Sequence, residues 1–262
     1  MTVREIIEAL ETVAPLLLQE SYDNSGWQVA DTSDTVRGVL ICLDVTEEVV
    51  HEAIAGDFNL IISHHPLLFE GIKSLTGATE VERSLLLAVK HKISIYAAHT
   101  NLDNAPNGVN DRIASLIGLR ETTFLRSEGV SDGIAYGSGK VGLLEHEEEE
   151  ESFLLRIKAL FHTGCIKHTA FTGRKIRKVA LCGGSGAFLI PDALSCKADV
   201  YLTADLKYHN YFTAENKILL ADFGHYESEQ FTKELICDII RKKRSTFAVQ
   251  LTKVNTNPIN YL

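Results

Sequence analysis

Apolar residues recur at helical spacing near the N-terminus, where Ile6, Ile7, Leu10, Val13 and Leu17 predict an amphipathic helix over residues 3–18. The pattern then shortens. Apolar runs of strand length appear over 36–43, 58–62 and 93–98. Between them, helical stretches run from Thr46, a suitable N-cap, to Ala55 and from Glu80 to His91. Such alternation predicts an α/β fold with a largely parallel sheet. Sites in these sheets lie beyond the carboxyl ends of the strands, the places taken here by Asp44, His64, His65 and His99.

The second half repeats the plan. Val39-Leu40-Ile41-Cys42 lines up with Val179-Ala180-Leu181-Cys182 at an offset of 140 residues, and Ile61-Ile62-Ser63 with Tyr201-Leu202-Thr203 at the same offset. A further pair aligns residues 91–96 with 215–220, each running into a histidine, His99 or His225. Two similar α/β lobes from an internal duplication are therefore expected. The lobes would span residues 1–126 and 153–262, packed separately or as one domain. Residues 127–152 would form a linker leading into a helix, because 127–142 is glycine-rich and polar. The run Glu147–Glu151 precedes Phe153, Leu154, Ile157 and Leu160, and a helix N-terminus there would welcome the negative charge.

Leu60-Ile61-Ile62-Ser63-His64-His65-Pro66 runs a buried strand into two adjacent imidazoles. In a continuing strand, neighbours face opposite ways. Pro66 has no N–H for the ladder and restrains the residue before it, so the strand should stop here and let both rings turn towards one target. Burying two imidazoles without a shared partner is costly, which favours a metal ion.

Composition narrows the classes. The apolar share of 45% and charged share of 23% belong to an ordinary globular protein, and the formal net charge of −9 argues against a nucleic-acid binder. The basic clusters Arg174-Lys175-Ile176-Arg177-Lys178 and Arg241-Lys242-Lys243-Arg244 read as solvated surface. Five cysteines without a C-x-x-C pair fit a reducing compartment. No stretch approaches the roughly 18 apolar residues of a membrane span, and the N-terminus has no signal-peptide core, so a cytoplasmic protein without membrane contact is expected.

Histidine and carboxylate recur four residues apart at His99–Asp103 and His225–Glu229, a spacing that puts both on one face of a helical turn. Taken together, His64, His65, Asp103, His225 and Glu229 offer three imidazoles and two carboxylates, which suits zinc, iron or manganese. Five donors are too many for one closed tetrahedral site and too few to saturate two ions. A dinuclear site about 3.5–4 Å across, with one bridging carboxylate and water in the open positions, reconciles the count. His99, Asp44 or Ser63 would orient the ligands, while His99 or His209 would move protons. Gly183-Gly184-Ser185-Gly186 lacks a P-loop lysine and the spacing of a dinucleotide fingerprint, so close packing is its expected role. No G-x-S-x-G elbow occurs.

With these residues in view, the sequence resembles the Nif-three-like family, also called GTP cyclohydrolase I type two homologues. The likeness rests on Tyr22-Asp23-Asn24-Ser25-Gly26-Trp27, Ser63-His64-His65-Pro66, His99-Thr100-Asn101-Leu102-Asp103, Cys182-Gly183-Gly184-Ser185-Gly186, the stretch from Asp199 to His209, and His225-Tyr226-Glu227-Ser228-Glu229, in this order. Trp27 and Ala204 depart from the usual aliphatic residue and glycine. The resemblance implies two similar lobes facing each other across a metal-binding cleft, a two-metal centre on the five donors above, a ring-shaped homohexamer, and metal-dependent hydrolysis of a small molecule whose identity is open. The alternative is a non-catalytic metal-binding ring that docks a protein or nucleic-acid partner.

Overall fold

The computed structural model describes residues 1–31, 34–131, 133–243 and 248–262; Arg244, the end of the second basic cluster, lies outside the described residues. They divide into two compact units, 1–105 with 231–258, and 106–230 with 259–262. Sequence alone suggests lobes of 1–126 and 153–262, whereas the C-terminal helix and strand pack with the first unit.

Numbered in chain order, the first unit contains α1 (Val3–Glu11), β1 (Gly26–Val29), β2 (Gly38–Cys42), α2 (Glu47–Ala55), β3 (Leu60–Ser63), α3 (Glu80–Lys90), β4 (Ser94–Ala97), α4 (Thr100–Asp103) and, near its end, α9 (Thr232–Lys243) and β11 (Ala248–Leu251). Helix α1 opens on a capping box, with Glu5 N–H donating to the Thr2 hydroxyl and Thr2 N–H to the Glu5 carboxylate. It stops well short of Leu18. Pro15 has no N–H and disfavours helix at Ala14, so a short 3₁₀ turn, Leu16–Leu18, follows instead. Thr46 caps α2 through Val49 N–H, as its position predicts. The sheet order is β1-β4-β3-β2-β11, with β1 antiparallel to β4 and the other pairs parallel. β2, β3 and β4 are buried throughout, which explains their unbroken apolar character. β11 joins beside β2, and Glu52 of α2 accepts from Lys253 N–H and the Thr252 hydroxyl, tying the C-terminal stretch to this unit.

The second unit contains α5 (Val109–Ile117), β5 (Arg120–Ser131), β6 (Ile134–Glu149), α6 (Glu150–Leu160), β7 (Lys167–His168), β8 (Lys175–Ser185), α7 (Ile190–Ser195), β9 (Val200–Ala204), β10 (Leu219–Asp222) and α8 (His225–Glu229). Its sheet order is β5-β6-β8-β9-β10-β7, with β8, β9 and β10 parallel and β7 antiparallel on the edge beside β10. Each unit thus carries a run of parallel strands, four in the first (β4-β3-β2-β11) and three in the second (β8-β9-β10), with an antiparallel edge strand beside β4 and β10.

Register sharpens that likeness. Val39 pairs with Leu60, and Val179 with Val200, so both strands of the pair advance by the same 140 residues. For the third strand Leu60 pairs with Ser94 and Val200 with Leu219, an offset of 125 where the sequence alignment gives 124. The extra residue fits in the preceding turn, where Glu215 and Asn216 both take left-handed backbone against Lys92 alone.

Residues 127–142 are not a linker. They belong to the long β5–β6 hairpin, whose outer strand is largely exposed and interrupted by bulges, so it shows no clean apolar alternation. Gly137 is needed there because a side chain would strike the Arg126 carbonyl. Glu148 and Glu149 likewise lie in β6, paired with Arg156 and Lys175. Only Glu150 and Glu151 enter the first turn of α6. All five cysteines are free thiols, and no described helix is long and apolar enough to cross a membrane.

Candidate metal centre

The strand β3 ends at Ser63, and the next two residues keep their backbone N–H groups bonded to the carbonyls of Cys42 and Leu43 while their side chains leave the sheet. His64 is fully buried, and its Nδ1 lies 2.8 Å from the Ala98 carbonyl oxygen. A carbonyl can only accept, so Nδ1 donates here and Nε2 is the nitrogen left to face Asp103. His65 places Nδ1 2.7 Å from Asp44 Oδ1, and Asp44 Oδ2 accepts from Thr256. Burial would raise the Asp44 pKa, but His65 and Thr256 hold it below the ordinary carboxylate value.

His99 follows β4. Its Nδ1 lies 2.7 Å from Oδ1 of the enclosed Asp23, whose Oδ2 accepts from the hydroxyls of Ser25 and Thr100. Burial alone would raise the Asp23 pKa, yet the His99 bond and charge, with the two hydroxyls, hold it far below the carboxylate range. The short helix α4 is fixed by its asparagines: Asn101 donates to the Ala14 carbonyl and accepts from His99 N–H, and Asn104 donates to the Leu18 carbonyl. This anchoring leaves Asp103 Oδ1 3.6 Å from His64 Nε2. His64, His65 and His99 present ligand nitrogens that all lie within 4.8 Å of one another, with ring centroids 4.9–5.4 Å apart. Three imidazoles beside a carboxylate form a donor set suited to a divalent transition ion.

In the second unit β10 ends at Asp222, and Gly224, at positive φ, turns the chain into α8. His225 Nδ1 lies 2.7 Å from Asp205 Oδ2, and its Nε2 lies 3.0 Å from Glu229 Oε2, one helical turn on. Burial opposes a charge on His225. The Glu229 charge and the bonds to Asp205 and Glu229 outweigh it and push the imidazole pKa up to about 11. The imidazole nitrogen and carboxylate oxygen, 3.0 Å apart, form a pair able to share one cation. Close packing makes room for that pair. Gly184 is left-handed, and a side chain on it would collide with the Glu229 carboxylate; its N–H donates to Ser228, whose hydroxyl also bonds the His225 carbonyl.

The first unit therefore gathers His64, His65, His99 and Asp103, and the second gathers His225 and Glu229. His209 lies apart from His225 in its environment, exposed on a 3₁₀ turn (Tyr208–Ala214) with its ring 5.2 Å from Tyr208 and 6.1 Å from Phe212. Sequence reasoning passed over Asp23 and Asp205 as the carboxylates that pin His99 and His225. The available signal was position: Asp205 stands 140 residues after His65, at the end of the matching strand.

Comparison with known proteins gives concordant results. A family model described as Duf34/NIF3 (NGG1p interacting factor 3) matches residues 1–258. A Streptococcus pneumoniae protein named GTP cyclohydrolase 1 type 2 homolog is 30% identical, with all of both chains covered. A Lactococcus lactis protein of the same name is 32% identical over 98% of each chain. Among solved structures, Staphylococcus aureus hypothetical protein SA1388 superposes with a TM-score of 0.91 at 29% identity, covering 100% of this chain and 99% of that one.

Proposed function

Because the chain belongs to the Duf34/NIF3 family, we propose that its two ligand sets act together as a dinuclear divalent-metal centre serving a metal-dependent hydrolase. His64, His65 and Asp103 from one unit, with His225 and Glu229 from the other, would hold the ions, with zinc, iron or manganese the best match to the donors. The substrate class is a nucleotide or a related phosphorylated small molecule, in keeping with the name GTP cyclohydrolase 1 type 2 homolog carried by its relatives. The shared strand register supports the descent of both units from one duplicated α/β element, and a ring-shaped homohexamer is part of the same proposal.

The observation that carries this reading is the pinning of Nδ1. His64, His65 and His225 each commit Nδ1 to an oxygen, namely the Ala98 carbonyl, Asp44 or Asp205. Outer partners of this kind fix tautomer and ring orientation in metal-binding histidines and raise ligand basicity. What a pair of divalent ions supplies when bound is Lewis acidity towards water and towards the bond to be broken. His99 would move the proton at Nε2, because Asp23 holds its Nδ1–H and stabilises the imidazolium formed when Nε2 is protonated. His209 is the alternative proton carrier, and His99 is favoured by its fixed tautomer.

Purified protein loaded with zinc, iron or manganese and offered GTP and a panel of phosphoesters tests the proposal. Turnover should vanish on chelation, and His99→Gln should lower it about 10²-fold or more while metal content is kept. Full metal loading without turnover of any substrate would overturn the enzymatic reading in favour of a metal-binding scaffold.

A further inference from the structure

The second unit carries an aromatic cavity that the chemistry above does not use. Lys167, His168, Tyr208, Tyr211 and Phe212 line a space of about 330 Å³, at the small end of the range for small-molecule sites. Tyr208 and Phe212 are 73% and 63% exposed with ring centroids 5.2 Å apart, and clustered aromatic rings left in water mark a binding surface more often than a random one. On the edge strand β7 His168 lies stacked on Phe171, 4.9 Å away and within 18° of parallel, and its Nδ1 bonds the Thr169 carbonyl. The cavity has a polar anchor as well, the exposed Lys167 ammonium, 2.8 Å from Asp222 Oδ2.

The cavity and the His225 pair are linked through one strand end, since the Asp222 that pairs with Lys167 also accepts from Gly224 N–H, one residue before His225. We propose that the cavity is a nucleobase pocket, in which the base of a mononucleotide packs on the Tyr208–Phe212 pair, stacked on one ring and against the edge of the other, and its phosphate is met by Lys167. A ring pair set at 69° gives a planar base one face to stack on and one edge to abut, and the lysine selects an anionic substituent. The proposal rests on the hydrolase reading for its substrate class and names the part of the substrate that is recognised away from the metal.

Titration calorimetry of the purified protein, as isolated and after chelation, with guanosine 5′-monophosphate, guanosine and ribose 5-phosphate provides the test. Guanosine 5′-monophosphate should bind with or without metal, and ribose 5-phosphate should bind far more weakly. Tyr208→Ala and Phe212→Ala should each weaken the nucleotide by about tenfold or more. Lys167→Met should weaken the nucleotide and leave guanosine unchanged. Circular dichroism melting confirms that each variant is folded. Equal binding of the nucleotide and the sugar phosphate, absence of nucleotide binding, or wild-type affinity in Phe212→Ala would overturn the pocket. So would a self-association abolished by Phe212→Ala with nucleotide affinity intact, which would give the patch to a second copy of the chain. Elemental analysis of metal-replete protein keeps the outcomes separate, since a chain that takes up no ion under those conditions yet binds the nucleotide refutes the metal centre alone.

Discussion

In the first unit His99 follows the third parallel strand and precedes Asp103 by four residues; in the second, His225 stands after the matching strand and precedes Glu229 by the same interval. Both histidines give Nδ1 to an aspartate. Beyond that they diverge. His225 turns Nε2 onto its own Glu229 at 3.0 Å, whereas Asp103 lies 3.6 Å from His64, a residue of the neighbouring strand end. The cause lies at the end of the middle strand, where His64-His65 in one unit answers to Ala204-Asp205 in the other. The first unit spends that position on imidazoles and takes its orienting carboxylate, Asp23, from a distant loop. The second spends it on the orienting carboxylate itself. One backbone plan thus supports a histidine-rich ligand set and a carboxylate-paired one.

The largest expected effect comes from the turn found only in the second unit. Gly184→Ala forces a left-handed alanine against Glu229 and should destabilise the protein by about 1–3 kcal/mol, read by thermal unfolding, with loss of metal at His225–Glu229. Unchanged stability and metal content would show that the collision is relieved cheaply and that Gly184 does not shape the pair.

A paired substitution sharpens the contrast between the two pinned histidines. Asp205→Asn should lower metal affinity by about ten- to a hundredfold, the usual cost of removing an outer partner of a ligand. Asp23→Asn should leave metal content intact and reduce turnover, because it acts on the proton-moving His99. Equal losses of metal in both variants would make His99 a ligand, an outcome its position among the three clustered imidazoles allows.

The smallest effect is a pH dependence in metal-stripped protein. His225 has its pKa raised from 6.5 to about 11 in the folded chain, so its contribution to stability is complete below the unfolded value and is lost as pH rises through about 11. The difference in melting temperature between wild type and His225→Gln should therefore shrink as pH climbs across that window. A difference that grows with pH would contradict the pairing with Asp205 and Glu229.

Much of the plan was legible because strands buried on both faces write themselves as continuous apolar runs. The 140-residue offset read from Val39–Cys42 and Val179–Cys182 reappears as strand register. Exposed architecture left weaker marks. The β5–β6 hairpin passes for a glycine-rich linker, since its outer strand packs little and its glycines serve a bulge and a close backbone approach. At the candidate site the histidines stood out, but Asp23 and Asp205 did not. An aspartate in a loop looks like any solvated charge until the fold carries it 76 residues along the chain to His99, or 20 residues to His225.

The most direct test of the central claim is elemental analysis of the wild type beside His64→Ala and Glu229→Ala, one variant from each unit. Two divalent ions per chain in the wild type, with at least one lost from each variant, is the result expected if both units contribute to one dinuclear centre. A wild type that takes up no ion under metal-replete conditions, or variants that both keep the full complement, would contradict it.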